Sequence, residues 1–194
     1  MTSDLSGRGA NFIRAWNLGR AMAETGHAVT LLAGPPSMTL RPRRTRFAGF
    51  DLLCGAALEP RRFRRSGWGP ADLAGRWAAL RRLDFDIVHV FGHRPAAWLP
   101  LEALPGRPDR LVAADWADWY GVGGIAEQRG RIGRLTVGRL DDWLERRMAR
   151  WAAGMTVITR RLEAMALERG FGSTKVLRLT AGADTRSIVP LPKA

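Results

Sequence analysis

Residues 6–34 read SGRGANFIRAWNLGRAMAETGHAVTLLAG, and their order decides the fold. A glycine-spaced loop opens directly into residues 11–24. There Phe12, Ile13, Trp16 and Ala23 recur at helical spacing, with Arg14, Asn17, Arg20 and Glu24 between them. Asn11 suits an N-cap and Gly26 the residue just past the C-cap, so both ends are punctuated. His27-Ala28 leads into a short apolar strand, 29–33, ended by Gly34-Pro35-Pro36. Loop, helix and strand are the second half of a β-loop-α-β unit. Only MTSDL precedes the loop, and it contains no strand pattern.

The same alternation continues to the end of the chain. Strands are predicted at 50–54, 86–91 (DIVHVF), 111–114, 155–158 and 176–179, and helices at 71–82, 95–103, 134–152 and 161–169, the last closed by Gly170. In the long helix, Leu140, Trp143, Leu144, Met148 and Trp151 form the expected apolar stripe, opposite Asp141, Asp142, Glu145 and Arg146. The clusters RPRRTR and PRRFRR around 50–54 read as solvated charge. Alternating elements of this kind imply an α/β domain: about six strands in a twisted, mostly parallel, Rossmann-like sheet with helices on both faces. Residues 1–185 form this domain, and 186–194, aperiodic and proline-containing, begin a linker.

The chain has 194 residues, 46% of them hydrophobic, enough for one real core. The net charge of +13 is carried almost wholly by arginine, since Lys175 and Lys193 are the only lysines. Such a charge favours polyanions or an anionic membrane face. The arginine clusters lack interleaved stacking aromatics and any nucleic-acid module, so nucleic acid is not the expected partner. A lone Cys54 excludes an internal disulfide and multi-thiolate metal sites, and in its apolar run it reads as a buried thiol. With no apolar leader and no run of ~20 apolar residues, a cytoplasmic location is expected, with peripheral contact at the inner face of a membrane left open.

Three places carry candidate chemistry. Gly7-Arg8-Gly9 lacks the third glycine of a dinucleotide fingerprint, because Phe12 stands there, and no strand precedes it. This also argues against a nucleotide-sugar epimerase-type protein. The loop is either an anion cradle at a helix N-terminus or a tight turn. His89 and His93 are not a zincin pair, having no Glu between them; His89 reads as a packed strand residue, while His93 and Arg94 fall at the C-terminal edge of the sheet. Residues 114–124, ADWADWYGVGG, begin where a strand is expected to end. Asp115 or Asp118 could there take a proton from a hydroxyl, and Trp116, Trp119 and Tyr120 suit a sugar face or simply pack under a loop.

Four segments in order resemble the retaining glycosyltransferases of the GT-B fold, and more narrowly their family 4, related to glycogen synthases. They are Arg14 through Thr30, Phe85-Asp86-Ile87-Val88-His89, Met155 through Leu162 around Thr159, and Gly182-Ala183-Asp184 up to Pro190. The resemblance implies the N-terminal, acceptor-side half of an enzyme that moves a hexose from a nucleotide-sugar to a lipid-linked or glycan hydroxyl. The donor-binding half would lie on a missing domain or a separate subunit. The nucleotide-sugar is then a co-substrate, with no cofactor and no metal expected. Gly7 and Gly9 would face the donor phosphates; Arg14, His93, Arg94, Trp116, Trp119 and Tyr120 would line the acceptor side; Asp115 and Asp118 would stand where many members carry a catalytic His. The family's first, central strand is missing, which would leave unpaired backbone groups inside the sheet. By itself such a half is expected to have little or no transferase activity. The alternative is a non-catalytic basic subunit that holds acceptor or membrane for a donor-domain chain.

Overall fold

The computed structural model describes residues 1–2, 4, 6–7, 9–47, 49–60, 67–103 and 110–182, apart from the side chains of 149 and 150. The PRRFRR cluster beyond Pro60, the junction after Gly182 and the linker 186–194 lie outside the described residues.

Helix α1 (Ala10–Glu24) leads into β1 (Thr30–Ala33), as read. Its N-cap is Gly9 rather than Asn11, which is buried inside the first turn. The side chain serving that end comes from further back: the Phe12 N–H donates to Asp4 Oδ2 at 3.2 Å. At Gly9, φ is +89°, and a Cβ would sit on the Asp4 carboxylate, so only glycine leaves room for this cap.

Strands β2 (Arg43–Phe47) and β3 (Phe50–Cys54) form a hairpin, and β3 pairs in parallel with β1. The RPRRTR cluster therefore supplies an antiparallel edge strand, which was not expected, while Arg43, Arg44 and Arg46 are solvent-exposed charge, as read. Its outward arginines are what an open edge carries to discourage further pairing. Helix α2 (Pro70–Arg82), β4 (Ile87–Phe91), α3 (Pro95–Glu102) and β5 (Leu111–Trp116) follow. A 3₁₀ turn (Ile125–Gln128), a helical turn (Arg131–Gly133) and a π-helical stretch (Arg134–Gly138) lead into α4 (Arg139–Trp151). Then come β6 (Gly154–Val157), α5 (Arg160–Glu168) and β7 (Val176–Arg178). The Thr159 hydroxyl caps α5 by accepting the Leu162 N–H at 3.1 Å.

The strands fall into two groups, β1-β3-β2 and an all-parallel β4-β5-β6-β7. Met1 and Thr2 join them at one end only. Thr2 N–H donates to Leu32 O at 3.0 Å, and Phe91 N–H donates to Met1 O at 2.8 Å. Arg76, itself buried, clamps this short bridge by donating to Thr2 O at 2.6 Å and to Asp72 at 3.0 Å. One sheet face packs on α1 through Phe12, Ala15, Leu31, Phe50 and Phe91. The opposite face meets α2 to α5 through Leu80, Trp98, Met148 and Leu162, together with Val90, Ala114 and Val157. Cys54 is buried, and burial pushes its thiol up.

One sequence expectation holds for Leu144 and Met148 but fails for the rest of the stripe. The inward face of α4 is Asp141, Leu144, Glu145 and Met148, whereas Leu140, Trp143 and Trp151 are exposed. The i, i+3, i+4, i+7 spacing is helical, but two of its four positions are acids. They are buried because backbone and side-chain donors wait there for them.

Candidate functional site

β5 runs two residues past its expected end, so Asp115 and Trp116 lie inside the strand. Strand alternation turns Asp115 toward α1 and Trp116 toward α4. Asp115 is 0% exposed. Arg14 Nε donates to both its oxygens at 2.9 Å, and the Thr156 hydroxyl donates to Oδ2 at 2.6 Å. Arg14 also reaches Leu179 O at 2.8 Å, tying α1, β5 and the segment after β7 together. Burial raises the Asp115 pKa against the opposing pull of Thr156 and Arg14. His89, a packed strand residue as read, lies 3.3 Å from the Thr156 hydroxyl, and burial lowers its pKa to about 4. Arg14 and Asp115 are therefore committed to each other.

On the other face, Glu145 organises the loop after β5. It accepts from the Trp116 indole at 3.2 Å and from the Tyr120 and Gly121 amides at 2.8 and 3.1 Å. Gly121 approaches α4 so closely that a Cβ would come 2.9 Å from Asp142 Cα. Trp116 is 2% exposed, with the Arg169 guanidinium 4.5 Å from its ring centre, so neither ring face is open to a sugar. The Trp119 ring is covered by Gly123 and Gly124 and by Arg161 at 5.3 Å.

His93 is also buried; its Nε2 lies 2.9 Å from Asp141 Oδ1, and its ring packs 4.6 Å from that of Tyr120. Arg129 donates to Asp141 at 2.7 Å, and Arg94 lies 3.8 Å from it. Burial works to raise the Asp141 pKa, but His93, Arg94 and Arg129 outweigh it and hold it low. Asp141 and Glu145 were missed as site residues because they read as a polar helix face; their shared spacing with Leu144 and Met148 was the available signal.

Above this floor, Asp4, Arg94, Asp118 and Tyr120 converge at the C-terminal rim, within electrostatic reach of one another. Arg94 lies 5.3 Å from the Tyr120 ring centre. Burial, then Asp118, pushes the Tyr120 hydroxyl up to about 12. Burial likewise raises the Asp4 pKa, against the Phe12 and Asn11 amides and Arg94. Asp118 is half-buried and, among the described residues, has no hydrogen-bond or ion-pair partner. Among the described residues it is the rim carboxylate without such a partner. Gly7 and Gly9 flank the same rim at the start of α1, where Asp4 already occupies one amide. Among the described residues, no cluster of His, Cys, Asp or Glu could hold a metal ion. Nor is any helix among them long and apolar enough to cross a membrane.

A mostly parallel sheet between helical layers, with its uncommitted polar groups at the strands' C-terminal ends, defines a Rossmann-like half of a GT-B fold. Sucrose-phosphate synthase from Thermosynechococcus elongatus has this fold, matching 97% of the chain with a TM-score of 0.64 at 13% identity. The chain spans 46% of that protein's length. The sequence model of Glycosyltransferase Family 4 matches residues 13–187, and the chain belongs to that family. No curated protein matches it.

Proposed function

We propose that the chain is the acceptor-side half of a glycosyltransferase that moves a hexose from a nucleotide-sugar to a lipid-linked or glycan hydroxyl. The observation that carries this reading is the rim of Asp118, Arg94 and Tyr120 facing the start of α1, in a chain of this family. Asp118 is the carboxylate placed to take the acceptor proton, while Asp115, locked to Arg14, positions the strand that ends beside it. Arg94, held between Tyr120 and Asp141, can donate to an acceptor oxygen without first being ordered. Gly7 and Gly9 let a donor phosphate approach the α1 N-terminus, where it would compete with Asp4 for amides. No metal is invoked. The donor half, on another domain or subunit, would exclude water and bring the two substrates together.

The test is to combine the chain with a donor-binding domain of its family and assay transfer from UDP- or GDP-hexose to a panel of lipid-linked and glycan acceptors. Turnover by the pair, abolished by Asp118→Asn, supports the assignment; unchanged turnover in that variant removes Asp118 from it.

The reading as a peripheral subunit has an observation of its own. Ile132 (80% exposed), Leu135, Val137, Leu140 and Trp143 protrude between Arg131, Arg134 and Arg139. Apolar side chains flanked by arginine suit an anionic bilayer surface. Co-sedimentation with phosphatidylglycerol vesicles, weakened by salt and by Ile132→Ser/Leu135→Ser, is the expected result.

A further inference from the structure

Strand β2 is the outer strand of its group: among the described residues it pairs with β3, and no strand lies on its other side. The register shows which of its backbone groups face outward. Asp51 of β3 donates its N–H to Val29 O, just before β1, so the Asp51 backbone faces β1 rather than β2. Its partner across the hairpin is Arg46, and Arg44 stands two residues away, opposite Leu53. In an antiparallel ladder, pairs of this kind point their N–H and C=O groups away from each other. Arg44 and Arg46 therefore present two backbone donors and two acceptors to the open edge.

Their side chains share one sheet face, because they alternate with Thr45. Asp51 lies on that face and accepts from Arg44, yet the Arg44 side chain remains 69% exposed. One carboxylate thus faces two guanidinium groups. The other face of the strand is different. Phe47 is 41% exposed there, its ring set edge-on to Trp16 of α1 with 5.2 Å between centres. The edge combines four backbone groups, a cationic face and an apolar corner.

We propose that this edge is a docking site for an acidic, extended segment of a partner protein, added antiparallel to β2 as a further strand. In that orientation two residues, one opposite Arg44 and one opposite Arg46, satisfy all four backbone groups by exchanging both bonds in each pair. Directly paired side chains lie on the same face, so these two residues are Glu or Asp, each set against a guanidinium. The residue opposite Phe47 falls on the other face and is apolar. Read from its N-terminus, the segment is therefore apolar-acid-x-acid. An anionic bilayer would answer the arginines but offers no ladder to the backbone groups. A neutral or basic strand would answer the ladder but not the arginines.

The experiment titrates the full ¹⁵N-labelled chain with the peptide Ac-Ile-Glu-Val-Glu-Thr-NH₂. Amide exchange at Arg44 and Arg46 should slow by roughly tenfold or more at saturation, while Thr45, already turned toward β3, should change little. Methylating both glutamate backbone nitrogens keeps the charge and removes the ladder donors, and should weaken binding by about tenfold. The variant Arg44→Glu/Arg46→Glu should lose the acidic peptide and bind Ac-Ile-Lys-Val-Lys-Thr-NH₂ instead, an exchange that separates lost recognition from lost folding. Equal affinity for the methylated peptide, or binding that leaves the Arg44 and Arg46 amides unprotected, overturns the proposal. So does a charge-reversed variant that still holds the acidic peptide. If the native chain ignores the peptide, and charge reversal instead abolishes co-sedimentation with phosphatidylglycerol vesicles, the edge belongs to a bilayer and the proposal falls.

Discussion

The rim beside Asp118 and the slot beside Met1, where β1 and β4 are joined only at one end, both bury polar groups, and they treat them differently. At the rim, Glu145 meets three donors, Asp141 meets His93 and Arg129, and Asp115 meets Arg14 and Thr156. In the slot, the Met1 amine donates to His89 O above backbone groups that have no partner among the described residues. Burial at the rim is thus matched by hydrogen bonds that hold a loop in one shape. Burial in the slot is matched only in part, by the bond from the Met1 amine to His89 O. The difference teaches that the rim is held in one shape by its own hydrogen bonds, whereas the slot leaves backbone groups without partners among the described residues.

The sharpest way to break the contrast is Glu145→Ala. It strands the Trp116 indole and two backbone amides, and should cost about 4 kcal/mol in urea unfolding. Exchange at Tyr120 and Gly121 should quicken with it. If stability and exchange both stay put, the rim is not organised from α4.

A smaller effect is expected at the Arg14–Asp115 pair. A double-mutant cycle with Arg14→Ala and Asp115→Ala should give a coupling of about 2–3 kcal/mol, since each single change leaves a partner buried and unpaired. Additive losses would show that the pair does not join α1 to β5.

The slot should reveal itself in pH dependence. Burial, then Arg76, lowers the Met1 amine from 8.0 to about 5, and burial lowers His89 from 6.5 to about 4. For both groups the unfolded chain binds the extra proton, so stability rises with pH through these windows and falls on acidification. Of the two, the amine dominates between pH 6.5 and 8.0, with a slope of up to about 1.4 kcal/mol per pH unit, while His89 adds only the tail of its unfolded titration. Unfolding midpoints measured at both pH values should differ for the free amine, and most of that difference should vanish after N-terminal acetylation. The raised carboxyls of Asp115 and Glu145 act in the opposite sense, favouring the fold as pH falls through their folded values, and so temper the loss in more acidic solution.

The smallest stability change belongs to Asp118→Asn, within about 0.5 kcal/mol because no hydrogen-bond or ion-pair partner among the described residues is lost. Transfer by the completed enzyme should nevertheless fall by about 10²-fold or more. A variant that unfolds would place Asp118 with the structural carboxylates.

Much of this was legible from the chain alone. Apolar runs such as TLLA and IVHVF gave the strands, and Gly26 and Gly170 marked two helix ends. β2 was not legible, since RRTRF places arginine where an edge strand needs it and so hides the apolar alternation by which strands are read. The role of α4 was hidden for a related reason. Acids on an amphipathic helix ordinarily face water, and only the folded loop reveals donors that need Asp141 and Glu145. Asp115 misled in the opposite direction: a carboxylate at a strand's end reads as reactive until a distant arginine is seen to hold it.

The outermost strand has a practical consequence. Arg43, Arg44 and Arg46 are exposed along β2, with Arg44 bound to Asp51 of β3. An unpaired ribbon of backbone is thus guarded by repulsion between like molecules rather than by a covering element. Such a guard works through long-range fields, which mobile ions shield. Concentrated salt, usually a benign storage choice, should therefore be the condition under which copies of this chain begin to zip together edge to edge.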